Sequence, residues 1–138
     1  MRECGLNKRN TFLVWVLSVA VFFIAGCTSV PVKKQLTFNA LVLENNTGTQ
    51  LENVRIEARK NGAFASCGVI LRRTSCSTTF QTKVYQGNSV YISWLHNGHE
   101  QLVGPLYVEP PEKINYDLPA SIVISFNSDN DVTAKFMY

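Results

Sequence analysis

The chain has 138 residues, enough for one folded domain, and its 46% hydrophobic and 17% charged content is that of a globular protein rather than a disordered or fibrous one. The formal charge is +3, and +2 of it lies within the first eleven positions. A nucleic-acid-binding protein needs a concentrated basic face, so the near-neutral remainder argues against nucleic acid as a partner.

The amino-terminal segment has the three-part layout of an export signal. Arg2, Lys8 and Arg9 supply a basic start, and residues 12–24 form an apolar stretch broken only by Ser18. A membrane-spanning helix needs about 20 apolar residues, so this stretch is short for a permanent span. We therefore expect a signal peptide over residues 1–26 that is removed from the mature protein.

The signal ends in Ile24-Ala25-Gly26-Cys27. This tetrapeptide resembles the lipobox of bacterial lipoproteins, in which an aliphatic and two small residues precede a cysteine. The resemblance implies that Cys27 carries a diacylglycerol on its thiol, that signal peptidase II cuts before it, and that a fatty acid such as palmitate acylates the new amino group. By resemblance to Gram-negative sorting rules, Thr28 instead of aspartate implies residence in the outer membrane. The sorting rule does not give the leaflet, and we expect the domain to face the periplasm. The alternatives are an uncleaved anchor or an ordinary secretory signal.

Residues 27–35 form the predicted lipid-bearing tether, which is polar and interrupted by Pro31. Even when extended, its eight residues after the cysteine reach only about 26 Å. The domain must therefore lie near the membrane. Lys33 and Lys34 either contact anionic headgroups or are simply solvated.

From Leu36 onward apolar residues recur with a period of two, which predicts an all-β domain over residues 36–138. The sequence Asn97-Gly98 is typical of a tight hairpin turn, and Pro110-Pro111 ends a strand because proline cannot donate to a ladder. The first predicted strands run from Leu36 to a turn that begins at Glu44, over 53–59, and over 78–85 with Phe80 and Val84 inward. The next cover 89–95, with Val90, Ile92 and Trp94 on one face, then His99 to Val108, and a short strand through Ile114, Tyr116 and Leu118. The last two form a C-terminal hairpin in which Ile122, Ile124 and Phe126 face Val132, Ala134 and Phe136.

Seven to nine short strands separated by frequent turns predict an antiparallel two-sheet β-sandwich, with a small β-barrel as the alternative. The segment from Leu41 to Ile56 places the turn Glu44-Asn45-Asn46-Thr47-Gly48 before a leucine and an alternating strand. It resembles the start of prealbumin-like and other Ig-like accessory domains. A true immunoglobulin domain is not implied, because Cys67 and Cys76 both precede Trp94 instead of flanking it.

The chain has four cysteines, of which Cys4 lies in the signal and Cys27 takes the lipid. We expect the remaining pair, Cys67 and Cys76, to form a disulfide in an oxidising periplasm. Their spacing does not fit a zinc site or a Cys-x-x-Cys redox site. In the chain-entropy model, closing this short loop stabilises the fold by about 2.7 kcal/mol.

Between these cysteines, an apolar triplet at residues 69–71 precedes Arg72 and Arg73. One interpretation is a rigid recognition loop in which the two arginines contact a partner. The other is a strand or β-arch in which the triplet caps the core and the arginines point to water.

His96 and His99 flank the predicted hairpin turn, which would bring their side chains to one face. Without a third ligand they make a weak metal site, although Glu100 is adjacent, and we expect no metal. The sequence has no phosphate loop, His-Glu-x-x-His motif or nucleophile elbow, so we expect no cofactor and no enzymatic activity. A small hydrolase or inhibitor would need a pocket that gathers either histidine with a carboxylate and a hydroxyl.

Two binding functions follow from these observations. The first is a non-enzymatic outer-membrane lipoprotein that acts as a binding or accessory module for another envelope component, for which we expect a protein partner. The second is a module that binds carbohydrate, either peptidoglycan or lipopolysaccharide, by stacking sugars on Tyr91 or Tyr107. Trp94 shares the face of Val90 and Ile92, so we expect it in the core.

Overall fold

The structure is a computed structural model that describes residues 33–138. Residues Lys34–Tyr138 form one compact unit. The predicted signal peptide, Cys27 and residues 28–32 of the tether lie outside the described residues. Over residues 33–138, no helix is long and apolar enough to cross a membrane.

In the described part of the chain, eight strands form two four-stranded sheets, which confirms the predicted all-β sandwich. Sheet I has the order β4-β1-β7-β8 and sheet II the order β3-β2-β5-β6. Among these strands, every pairing is antiparallel except that of β1 with β7, which run parallel. The strands are β1 (Thr37–Asn45), β2 (Leu51–Ala58), β3 (Ala63–Ile70), β4 (Ser75–Val84), β5 (Val90–His96), β6 (His99–Leu106), β7 (Ala120–Ser128) and β8 (Asp131–Met137).

Strand register defines the two ends of the sandwich. Thr37 pairs with Val84 and Phe38 with Ala120, so β1 and β7 start where β4 ends. We call this the open end. It carries residues 34–36, 59–62, 85–89, 107–119 and 137–138. The opposite end, which we call the closed end, carries the connections 46–50, 71–74, 97–98 and 129–130.

Two predicted hairpins are confirmed in detail. In the C-terminal hairpin Ile122 pairs with Phe136, and Phe126 with Val132, as the alternation predicted. Asn97 and Gly98 adopt φ values of 52° and 77°, the left-handed conformation that a two-residue turn of this kind requires.

Large side chains fill the space between the sheets at the closed end. Trp94 lies edge to face with Phe126 at a centroid distance of 5.0 Å, and both rings are buried, as are Leu43, Leu51 and Ile70 around them. Trp94 is therefore a core residue, as its strand parity predicted. These buried side chains make the closed end the filled part of the core.

Asn45 closes the same end with a fully buried polar side chain. Its amide nitrogen donates to the carbonyl oxygens of Thr49, Ile70 and Leu71 at 2.8, 3.0 and 3.1 Å. Its amide oxygen accepts from the backbone N–H and the hydroxyl of Thr47. The residue predicted only as part of a turn thus ties the β1–β2 loop to the β3–β4 connection.

One expected strand is absent, and one strand was not expected. No strand lies between Leu106 and Ala120, because the two prolines remove backbone donors and Asn115 accepts the N–H of Asp117 in a local turn. Of the predicted strand residues there, Ile114 packs against the core, while Tyr116 and Leu118 are exposed. The structure also adds β3, which begins at Ala63, where the sequence predicted no strand.

Candidate functional site

An apolar cleft of about 570 Å³ lies between the two sheets at the open end. Strand β3 contributes its first residues and strand β4 its last ones, so the cleft opens between the edge strands of the two sheets. Its floor is the side of the hydrophobic core that faces this end. The lining side chains are Phe38, Leu41, Ile56, Ala58, Asn61, Ala63, Phe64, Ala65, Phe80, Lys83, Val84, Tyr85, Gln86, Asn88, Val90, Val108, Ile122 and Ile124.

Small residues explain why the space is there. Ala58 ends β2, and Ala63 and Ala65 begin β3, so three neighbouring positions of sheet II supply only methyl groups. Across the gap, Phe38 and Phe80 of sheet I meet edge to face at 5.6 Å and do not reach across to fill it. The sheets therefore stay apart at this end without side chains to occupy the gap.

The disulfide holds the same two edge strands together nearer the closed end. Cys67 of β3 is bonded to Cys76 of β4, with 6.6 Å between their Cα atoms, which confirms the predicted pairing. The bridge limits how far the edges can separate, so the cleft widens only toward the open end.

Tyr85 forms one wall of the cleft. Its ring packs edge to face against Phe136 at 4.9 Å and against Phe38 at 6.3 Å, and its hydroxyl donates to the carbonyl oxygen of Val108. Burial raises the pKa of this hydroxyl. The wall is thus a fixed, uncharged surface.

Polar groups lie only at the rim. The rim carries one cation, Lys83, and three amides, Asn61, Gln86 and Asn88. Val84, predicted to point inward, does line the cleft, yet 42% of it is exposed because the cleft is open. Protein interiors rarely leave voids larger than a water molecule, and this volume falls within the usual range of ligand pockets. An apolar interior with a polar, cationic rim suits an amphipathic ligand.

The predicted recognition residues Arg72 and Arg73 are not at this cleft. They are exposed in the connection 71–74, which crosses from sheet II to sheet I at the closed end and is therefore a β-arch. Ile70 is buried and caps the core as predicted, whereas Val69 and Leu71 are more than half exposed. A recognition role for the two arginines stays a prediction.

The structure brings His96 together with two groups distant in sequence. Its Nε2 lies 2.6 Å from the hydroxyl of Thr49, and its Nδ1 contacts the carboxylate of Asp129. His99 pairs with His96 across the turn in the strand register. Local spacing gave no signal for this cluster, because Thr49 and Asp129 come from other loops of the closed end.

In this cluster the imidazole of His96 lies between a hydroxyl and a carboxylate. The cluster is outside the cleft, whose lining includes neither histidine. The cleft is therefore not the pocket that the hydrolase hypothesis required, and that hypothesis stays untested. Over residues 33–138, no three or more His, Cys, Asp or Glu side chains converge as metal ligands.

The two tyrosines proposed for sugar stacking differ in how accessible their rings are. Tyr91 is half-buried, and the guanidinium of Arg59 covers its ring at 3.9 Å. Tyr107 is 60% exposed and follows the end of β6. One of the two predicted stacking surfaces is thus already occupied by a side chain of this protein.

No protein-family model, no curated protein and no solved structure matches this chain.

Proposed function

We propose that the protein is a non-enzymatic lipoprotein of the bacterial outer membrane that binds another envelope component in the cleft. The observation that carries the proposal is the position of the cleft. It opens at the end of the sandwich where the chain continues from Lys34 toward the predicted lipid on Cys27. A component of the envelope would meet the cleft at the side on which the domain is tethered.

Two further observations support this function. The disulfide between Cys67 and Cys76 is of a kind that persists in oxidising compartments such as the periplasm. The cleft is apolar and pre-formed, with few polar groups at its rim, which is typical of binding sites.

Anchoring is tested with Cys27→Ala in the full chain. We expect the wild type in the outer-membrane fraction, with Cys27 acylated and residues 1–26 removed. The variant should either stay unprocessed or leave the membrane. Unchanged size and unchanged fractionation of the variant would contradict the anchor.

Binding is tested with a photoreactive amino acid at Val84, in the mouth of the cleft, in cells that express the full chain. The matched control places it at Leu102, which is also apolar and exposed but lies on β6, at the far edge of sheet II. We expect one defined envelope component to be captured from position 84 and not from position 102. Equal capture from both positions, or none from position 84, would refute the cleft as the binding site.

A further inference from the structure

Exposed apolar side chains concentrate at the open end. Of the ten large hydrophobic residues that are exposed in the described part of the chain, all but Val69, Leu71 and Leu102 lie there. Four of those at the open end are aromatic: Phe64, Tyr107, Tyr116 and Tyr138. Exposed apolar clusters mark interaction surfaces, and aromatic side chains with polar tips favour the boundary between water and lipid.

Basic side chains surround the same surface. Five basic residues lie in the segments and strand ends of the open end, against four acidic ones, Glu57, Glu109, Glu112 and Asp117. Asp117 is itself paired with Lys34 at 3.6 Å. The other four basic residues, Arg59, Lys60, Lys83 and Lys113, leave this end positive. Such a mixture of cations and exposed aromatic residues is complementary to an anionic lipid surface.

The closed end has the opposite character. Its arch carries Arg72 and Arg73, but the strand ends and turns around them carry Glu44, Glu52, Glu100, Asp129 and Asp131. A domain with this polarity is attracted to an anionic membrane by one end only. The attracted end is the one where the chain runs on to the predicted anchor.

We propose that the open end lies on the membrane surface and that the cleft takes an acyl chain of an anionic phospholipid. This inference rests on the proposed function and names the class of its ligand. The methyl and phenyl groups of Ala63, Ala65 and Phe80 contact the acyl chain, and Lys83 at the rim faces the phosphate of the headgroup. The neutral wall formed by Tyr85 adds no charge to repel either part.

The experiment uses the processed, acylated chain reconstituted in phosphatidylcholine vesicles that contain a photoreactive lipid. The probe is a phosphatidylglycerol with a diazirine near the end of one acyl chain, and a phosphatidylcholine with the same acyl chain is the headgroup control. Adducts are mapped by mass spectrometry. We expect the phosphatidylglycerol adducts on residues that line the cleft, and several-fold fewer from the phosphatidylcholine probe.

Two variants of β3 test the cleft itself. Ala65→Trp fills the cleft and should abolish the cleft adducts. Ser66→Trp adds the same side chain at the next, outward-facing position and should leave them unchanged. Adducts that persist in Ala65→Trp, or that lie only outside the cleft, would overturn the proposal.

A charge variant keeps the test decisive if Ala65→Trp does not fold. Lys83→Gln changes an exposed side chain and should lower cleft labelling by phosphatidylglycerol about fivefold, because the probe loses the contact of its anionic headgroup with one lysine. Arg72→Gln, at the closed end, should not change it. Equal labelling in the wild type and both variants would contradict the proposed headgroup contact.

The outcomes separate this inference from the function on which it rests. If position 84 captures a protein and the lipid probes label nothing in the cleft, the binding function stands and the lipid is the wrong ligand. If the probe enters the cleft only in Cys27→Ala, the acyl chains of Cys27 occupy it, and a free phospholipid is excluded. If Cys27 carries no lipid, the anchor fails, while cleft labelling still decides the ligand.

Discussion

The two ends of the sandwich are formed by the same eight strands but differ in the volume of the side chains between the sheets. At the closed end, Trp94 and Phe126 fill the gap and Asn45 ties the loops together. At the open end, Ala58, Ala63 and Ala65 leave about 570 Å³ unfilled. One fold can therefore be filled by large side chains at one end and leave the other end available for a ligand.

The largest expected loss of stability comes from removing the buried amide of the closed end. Asn45→Ala leaves the carbonyl oxygen of Ile70 and other buried groups without partners, so we expect the free energy of unfolding to fall by about 3 kcal/mol. Urea unfolding of the purified protein measures it. The matched control is Asn46→Ala, whose exposed side chain makes one bond to Asn127 and should cost about 0.5 kcal/mol or less. A similar loss of unfolding free energy at both positions would contradict the special role of the buried Asn45 side chain.

The next effect concerns the bridge between the two edge strands. Replacing Cys67 and Cys76 together with serine should lower the free energy of unfolding by about 2.7 kcal/mol, because the unfolded chain regains the entropy of the open loop. Chemical unfolding with and without reductant measures the loss. Intact mass after alkylation should increase by two blocked thiols only in the reduced wild type. A double variant as stable as the oxidised wild type would refute a structural role for the bridge.

A smaller effect compares added volume in the two regions. Ala65→Val puts two more carbons into the cleft and should raise the free energy of unfolding by about 1 kcal/mol, since apolar surface is buried without a clash. Val54→Leu adds one carbon where the side chain is fully buried and should lower it by about 1 to 2 kcal/mol through overpacking. Thermal unfolding of both variants tests the contrast. Loss of stability in both would mean that the cleft closes in solution.

The smallest effect is a pH dependence at the wall of the cleft. Burial raises the pKa of Tyr85 above that of an unfolded tyrosine, so the folded state keeps the proton longer. Stability from this group is complete below the unfolded pKa of about 10 and is lost as the pH rises toward the folded value. We expect Tyr85→Phe to show a shallower alkaline loss of stability. Parallel curves for the variant and the wild type would exclude this contribution.

Strand positions were the part of the fold that local pattern could predict. The recurrence of large apolar residues at Ile122, Ile124 and Phe126, matched by Val132, Ala134 and Phe136, predicted both the strand and its partner, because side chains on one face must share one environment. The pattern failed at Ile114 to Leu118, where the alternation is real but the chain forms a local turn at Asn115 after two prolines.

The candidate site was far less predictable. Ala58, Ala63 and Ala65 are visible in the sequence, but their spacing says nothing about the strands that face them. The three small residues surround one turn of the sequence. They line a cleft only because β3 and β4 lie at facing edges of the two sheets. The contacts of His96 with Thr49 and Asp129 were hidden for the same reason, since each residue lies on a different loop.

The sequence by itself determined the all-β class, the alternating faces, the turn at Asn97-Gly98 and the pairing of Cys67 with Cys76, because each depends on residues that are close along the chain or on a count. It also contains Ile24-Ala25-Gly26-Cys27, whose resemblance to a lipobox is the basis of the predicted anchor. Only the tertiary structure decided which end of the sandwich is filled and which is open. That difference depends on the volume that side chains of both sheets leave between them, and such a volume is a property of strands brought together from distant parts of the chain.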